Sequence, residues 1–226
     1  MRTADAARCV AFVCVFGVAL AVTCGTRLDA TSQVSPTPGS IVDVGRAPVK
    51  GARSARIAIV EYADFQCPHC ASFFRDTLPA LDARYLKTGR VLLVFKHKPI
   101  STLHPEAVMA ATAAECAGEQ GQFWLMHDAL FSNQPNLSRP SLLQRAARLA
   151  LDESSFEACL DRESRRVRDD VAEGTALKIT GTPTFLIGTL QAGRVDVRHR
   201  LEGARPGAVF QAVLDTLLAE SATAPR

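Results

Sequence analysis

Two cysteines lie two residues apart in the stretch VEYADFQCPHCASFF, where an apolar, β-branched run gives way to a helical pattern. The run predicts a buried strand over residues 56–63, and Pro68 suits the first turn of a helix. A Cys-x-x-Cys at a helix start can be a redox centre, half of a zinc site or a structural disulfide. Other features of the chain have to separate these three interpretations.

The position at a helix start favours reactivity. Unpaired backbone N–H groups and the helix dipole stabilise a thiolate there, and only a thiolate attacks or leaves in disulfide exchange. We therefore expect Cys67 to be the nucleophile and Cys70 the resolving partner. His69 can favour the thiolate, and Pro68 removes a competing donor, so both tilt the pair towards oxidation. Neither a second Cys-x-x-Cys nor a His-x-x-x-His follows, which disfavours zinc.

The composition is that of a folded protein with one domain, or with one domain that carries an insertion. The chain has 226 residues, of which 47% are hydrophobic and 22% charged, so it can bury a sizeable core. The formal net charge is +3, and the basic residues are interspersed with acids. The sequence therefore predicts no nucleic-acid partner.

The N-terminus has the pattern of an export signal. Arg2 and Arg8 precede an uncharged apolar run over residues 9–24 that is short for a spanning helix. Three outcomes stay open: cleavage after Ala21, cleavage before Cys24 with a lipid on its sulfur, or retention as a membrane anchor. Each predicts an extracytoplasmic location, in the periplasm or at the outer face of the cytoplasmic membrane.

The remaining elements predict a split α/β layout. The strand over 56–63 is followed by a helix over 67–86 with a kink at Pro79, and then by a parallel strand in GRVLLVFKHK. A helical block over 104–179 follows, with helix starts at Ser141 and Asp152. Strands in TPTFLIG and RVDVRHRLEG, joined by TLQAG, precede a last helix over 206–220.

The predicted division of the chain follows from this layout. It comprises a signal or lipoprotein anchor (1–24), a flexible tether (25–40), the first half of the α/β domain (41–102), an inserted helical domain (103–170), the second half (171–220) and a tail (221–226).

The stretch EYADFQCPHC together with GTPTF resembles the DsbA-type thiol-disulfide oxidoreductases. The resemblance extends through AAECAGEQGQFWLMHDALFSNQ and covers about residues 41–220. It implies an α/β fold of the thioredoxin type with an inserted α-helical domain. It also implies exchange through a mixed disulfide, with no metal or organic cofactor.

Site residues of this family fall on matching positions. The nucleophile and the resolving cysteine fall on Cys67 and Cys70, and the family's cis-proline falls on Pro183. Thr182 precedes this proline, and its backbone groups are expected to pair with a substrate strand.

Glu61 matches a buried acid of the family that can take the proton of the resolving cysteine. A surface glutamate at a strand edge is the alternative. The family's companion lysine has two candidates, Lys96 and Lys98, which share one face of their strand, and the sequence does not choose between them.

The cysteines of the mature chain form an odd set: Cys24, Cys67, Cys70, Cys116 and Cys159. Lipidation of Cys24 would remove the odd one. An exported chain favours a disulfide between Cys116 and Cys159, and some members of the family carry such a bridge. Two buried free thiols are the alternative.

The sequence also contains less informative candidates. Trp124 and its helical neighbours are expected to form a core face rather than a cofactor site. His97 and His104 are expected to be structural, with His104 at the start of a helix.

The function predicted from these features is that of an exported oxidase. It donates the Cys67–Cys70 disulfide to reduced exported proteins, and the resemblance implies a membrane quinone-linked thiol oxidase that restores this disulfide. A reductase or isomerase with the same fold, a redox-inert binding module or chaperone, and a copper or zinc carrier are the alternatives.

Overall fold

The structure, a computed structural model, describes residues 39–162 and 164–223. A mixed six-stranded sheet has the order β1-β6-β5-β3-β4-β2. Strands β3 and β4 are parallel neighbours, and every other pair is antiparallel. The strands are β1 (Ile41–Asp43), β2 (Val49–Lys50), β3 (Ile57–Ala63), β4 (Val91–His97), β5 (Thr184–Gln191) and β6 (Arg194–Glu202).

The helices follow the predicted order. They are α1 (68–86), α2 (Ala107–Glu119), α3 (Phe123–Ser132), α4 (Arg139–Arg148), α5 (Glu153–Leu160), α6 (Arg165–Ala176) and α7 (Gly207–Thr223). Helices α2 to α6 lie between β4 and β5 in the chain, so a helical insert divides the two parts of the sheet. The predicted α/β layout with an inserted helical domain is confirmed.

Helix α1 is irregular on both sides of Pro79. It runs without a break through α segments Pro68–Ser72 and Leu78–Leu81 and π segments Phe73–Thr77 and Asp82–Leu86. The predicted distortion is therefore spread over two π segments that flank the proline, as expected where a backbone donor is missing.

The two predicted helix starts in the insert had different outcomes. Asp152 caps α5, since its carboxylate accepts a hydrogen bond from the Ser155 amide at 2.7 Å. The start at Ser141 is wrong because α4 begins at Arg139 after Ser138. Pro140 is tolerated in a first helical turn, so the helix can begin before it.

The connection between β5 and β6 is shorter than predicted. TLQAG was expected to form it, but β5 continues to Gln191, and only Ala192 and Gly193 remain, at φ 50° and 74°. Two residues at positive φ fit a tight hairpin whose twist matches the strands. The short edge strands β1 and β2 were not predicted at all.

Three apolar clusters stabilise this arrangement. One packs α1 and α7 on one face of the sheet, and a second covers the other face. The third joins the insert to the ends of β3 and β4, and it includes Cys67 and Cys70.

In the part of the chain that the structure describes, no helix is both long and apolar enough to cross a membrane. The predicted signal, and Cys24 with it, lies outside the described residues.

Candidate active site

The two cysteines lie where β3 leads into α1. Cys67 is the residue before the helix, at φ −75° and ψ 122°, and Pro68 takes the first helical position. Cys70 is fully buried one turn later, while Cys67 is 5% exposed. Both are free thiols. The strand end thus presents one sulfur near the surface and keeps the other inside the core.

Hydrogen bonds at the helix start favour the charged form of Cys67. They lower its pKa from 9.0 to about 5, and the largest contribution is the hydrogen bond from the Cys70 side chain. Burial opposes this effect, while Thr182 and the backbone N–H groups of Cys70 and His69 add to it. Cys67 is therefore a thiolate at neutral pH, as a nucleophile in disulfide exchange must be.

Cys70 has the opposite environment. Burial, the hydrogen bond to Cys67 and the charge of Cys67 raise its pKa well above 9.0. The two thiols thus have different protonation states at neutral pH, with the proton on the inner one.

Glu61 lies on the central strand β3 and is 1% exposed, so the alternative of a surface glutamate is wrong. Desolvation by burial raises its pKa to about 8. Its Oε2 atom is buried without a hydrogen-bond partner among the described residues. Its charge would also raise the pKa of Cys70, so the two groups interact electrostatically. This carboxyl is protonated at neutral pH and can exchange a proton.

Thr182 and Pro183 face the cysteines from a distant part of the chain. The peptide bond between them is cis. The Cys67 sulfur lies 3.3 Å from the Thr182 carbonyl oxygen, across 115 positions of sequence, and can donate to it when it is protonated. The structure therefore brings GTPTF to the outer sulfur.

Pro68 and His69 are both exposed on the first turn of α1. The backbone N–H of His69 contributes to the low pKa of Cys67. The tuning roles of the Pro68 ring and the His69 imidazole stay predictions.

Neither candidate lysine accompanies Glu61. In the register of β3 and β4, Glu61 lies beside Phe95, whereas Lys96 lies beside Tyr62 on the opposite face of the sheet. Lys96 forms ion pairs there with two carboxylates of α6, at 3.3 and 3.0 Å. Lys98 follows Lys96 by two residues, and its Nζ also donates hydrogen bonds to α6.

Two residues at the site were missed by the sequence analysis. The Asp64 amide donates to Cys70 Sγ at 3.5 Å, and its carbonyl accepts from the Cys67 amide at 3.1 Å. Gln134 belongs to the insert, and its Nε2 donates to the Phe65 and Cys67 carbonyls, both at 2.8 Å. Gln134 lies 67 positions from Cys67, and a contact over such a distance leaves no local signal in the chain.

The remaining cysteines form a second, separate feature. Cys116 on α2 and Cys159 on α5 are bonded, with an S–S distance of 1.97 Å and a sequence separation of 43. This is the pairing that the sequence predicts. Within residues 39–162 and 164–223, no group of three or more His, Cys, Asp or Glu side chains could hold a metal ion.

Comparisons with known proteins agree with this geometry. A family model described as thioredoxin matches residues 43–198. The crystal structure of alpha-DsbA1 from Wolbachia pipientis superposes with a TM-score of 0.67 and 27% identity, and covers 79% of this chain and 94% of that one. The thiol-disulfide exchange protein alpha-DsbA2 from the same organism has a TM-score of 0.63 at 22% identity, over 76% and 87% of the two chains, and shows the fold alone.

A curated relative has a different name. The Na(+)/H(+) antiporter NhaA 3 of Salinispora tropica is 42% identical over 148 residues, which are 65% of this chain and 22% of that protein. The chain spans between 22% and 27% of the length of such antiporter relatives.

Proposed function

Because this chain belongs to the thioredoxin family and has the fold of the DsbA thiol-disulfide oxidoreductases, we propose that it oxidises thiols of exported proteins through Cys67 and Cys70. The disulfide between these two cysteines is the oxidant. Its substrates are reduced, newly exported chains that still carry free cysteines.

The observation that supports this direction is the low pKa of Cys67. The stabilised thiolate exists only in the dithiol form, so it lowers the free energy of the reduced protein relative to the disulfide. A disulfide whose reduced form is stabilised in this way gives up its oxidising equivalents readily. For the same reason, the dithiol form of the protein would be a poor reductant.

The proposed reaction has two exchanges. A substrate thiolate attacks Cys67 Sγ, the bond between Cys67 and Cys70 breaks, and Cys70 leaves as a thiolate with the electron pair. Glu61 can supply a proton to Cys70 at this step, since its carboxyl is protonated at neutral pH. A second substrate thiolate then attacks the substrate sulfur, and Cys67 leaves as the stabilised thiolate. The substrate gains a disulfide, and the enzyme becomes a dithiol.

The dithiol must be oxidised again before another turnover. We assign this step to a membrane quinone-linked thiol oxidase, in line with the family resemblance. The reaction needs no metal or organic cofactor, because the electron pair moves between sulfur atoms alone.

Thr182 and Pro183 are the proposed substrate contacts beside Cys67. The location proposed is extracytoplasmic, with membrane attachment through the N-terminal segment if Cys24 is lipidated or the signal is retained.

We propose no ion transport for this chain. The alignment covers 22% of the first antiporter, and the exchange chemistry of the cysteine pair accounts for the site without ion transport.

The reduction potential tests the proposed direction. We expect equilibration with glutathione to give a potential well above that of cytoplasmic thioredoxin, which lies at about −270 mV. A potential at or below that value would make the protein a reductase. Refolding of a reduced disulfide protein provides the second arm, in which Cys67→Ser is expected to be inactive. Equal activity of the variant and the wild type would assign the protein to the redox-inert binding modules.

A further inference from the structure

Asp64 joins the cysteine pair to a separate part of the chain. Its side chain is buried, and each carboxylate oxygen accepts hydrogen bonds: Oδ1 from the Gln66 amide at 2.7 Å, and Oδ2 from the Ile100 amide at 2.8 Å. Oδ2 also lies 2.7 Å from Nδ1 of His104. Three donors around one buried carboxylate leave it little freedom to move.

The backbone of the same residue reaches both sulfur-bearing residues. Its amide donates to Cys70 Sγ at 3.5 Å, and its carbonyl accepts from the Cys67 amide at 3.1 Å. The side chain therefore fixes the direction of an N–H that points at the inner sulfur. His104 binds the Asp64 carboxylate from the outside, and its side chain is 17% exposed.

We infer that Asp64 is a positioning residue for the exchange reaction, and that His104 holds it in place. Its carboxylate keeps the Asp64 amide aimed at Cys70 Sγ, where the amide stabilises the Cys70 thiolate. This inference rests on the proposed function, and it adds a role for a buried residue that carries neither sulfur.

The amide acts in both directions of exchange. When an incoming thiolate attacks Cys67 Sγ, the Cys67–Cys70 bond breaks, and the negative charge arrives on Cys70 beside the Asp64 amide. In the reverse step the Cys70 thiolate attacks Cys67 Sγ and the other thiolate leaves. The amide lowers the energy of the negatively charged Cys70 sulfur relative to the disulfide and to the protonated thiol. The rates of both steps therefore depend on this donor.

The test follows single exchanges with glutathione by acid quenching and mass spectrometry. Asp64→Ala is expected to slow attack on the oxidised protein, and resolution of the mixed disulfide by Cys70, by about tenfold each, as for a weakened hydrogen bond to a charged group. His104→Ala is expected to slow both by about threefold. His104→Asn should stay within about twofold of the wild type, since its Nδ2 can donate where Nδ1 does.

A step that does not involve Cys70 separates positioning from general damage. In a Cys70→Ser background, a second glutathione releases Cys67 from the mixed disulfide, and Asp64→Ala should leave this rate unchanged. Asp128→Asn is the matched control, because Asp128 also lies 2.7 Å from a histidine Nδ1. It should leave both Cys70-dependent rates unchanged.

Three results would overturn the inference: a folded Asp64→Ala that exchanges at wild-type rates, a His104→Ala with wild-type rates, or a His104→Asn as slow as His104→Ala. The two His104 variants decide the matter if Asp64→Ala does not fold. Failure of the wild type itself to exchange with glutathione would instead reject the proposed function.

Discussion

The two cysteine pairs of this protein lie in the same apolar cluster but differ in the groups that surround their sulfur atoms. Cys67 and Cys70 are close in the chain, and backbone N–H groups, Cys70 and Thr182 surround the outer sulfur. Cys116 and Cys159 are 43 positions apart on two helices and form a closed disulfide within the insert. All four cysteines belong to one apolar cluster, so the hydrogen-bond donors near the Cys67 sulfur, and not apolar packing, distinguish the reactive pair from the crosslink.

The largest expected difference between the pairs is in exchange activity. Cys67→Ser should reduce the rate of disulfide exchange by about 10³-fold or more, because a hydroxyl cannot form the mixed disulfide. The double variant Cys116→Ser, Cys159→Ser should keep the rate within about twofold of the wild type. Exchange with a dithiol peptide, quenched at set times, measures the rates of both variants. A comparable loss of rate in the double variant would remove the distinction between the pairs.

The next effect concerns stability. Opening the crosslink should lower the free energy of unfolding by about 4 kcal/mol, since the bridge closes a long loop in the unfolded chain. Denaturant unfolding of the double variant Cys116→Ala, Cys159→Ala against the wild type measures this loss. The same experiment on Cys67→Ala, Cys70→Ala is the control, and an equal loss there would contradict a structural role specific to the insert.

The contribution of Glu61 to the stability of the protein should depend on pH. Its folded pKa is raised to about 8 from 4.5, so between these values the unfolded chain loses a proton that the folded protein keeps. Wild-type stability should therefore fall relative to Glu61→Gln as the pH rises from 4.5 to 7, by about 3 kcal/mol. Unfolding curves at several pH values test this, and a difference that does not change with pH would contradict a buried, protonated carboxyl.

Cys67 should give the smallest effect, with the opposite sign. Its folded pKa is lowered to about 5 from 9.0, so its stabilisation of the reduced protein is complete above pH 9 and disappears as the pH falls through 5. Reduced wild type should gain about 2 kcal/mol over reduced Cys67→Ala between pH 5 and 7. The crosslink between Cys116 and Cys159 has no proton to lose, so its contribution should not vary over this range.

Local patterns were sufficient to predict the parts of the site that depend on neighbours in the chain. The strand, the helix start and the cysteine spacing together place Cys67 before α1 and Cys70 inside it. The resemblance adds Thr182 and Pro183, which no local pattern connects to residue 67. The resemblance also implies the burial of Glu61, for which a surface position was the alternative, and every residue of β3 is buried.

Other features depend on register or on the path of a distant loop. The sequence shows that Lys96 and Lys98 share a face, but only the alignment of Glu61 with Phe95 shows that this face is the wrong one. The contact of Asp64 with His104 requires the path of the chain after β4, which no periodicity describes. The hairpin between β5 and β6 was predicted, but its connection was predicted too long because Ala-Gly is a weaker turn signal than Asn-Gly.

The side-chain amide of Gln134 links the helical insert to the loop that carries the outer cysteine. It belongs to the segment after α3, yet it holds the carbonyls of Phe65 and Cys67 at 2.8 Å. The geometry around the outer sulfur is therefore a joint property of the insert and the sheet. A shift of this segment would therefore reach the redox pair through two backbone carbonyls, without contact to either sulfur.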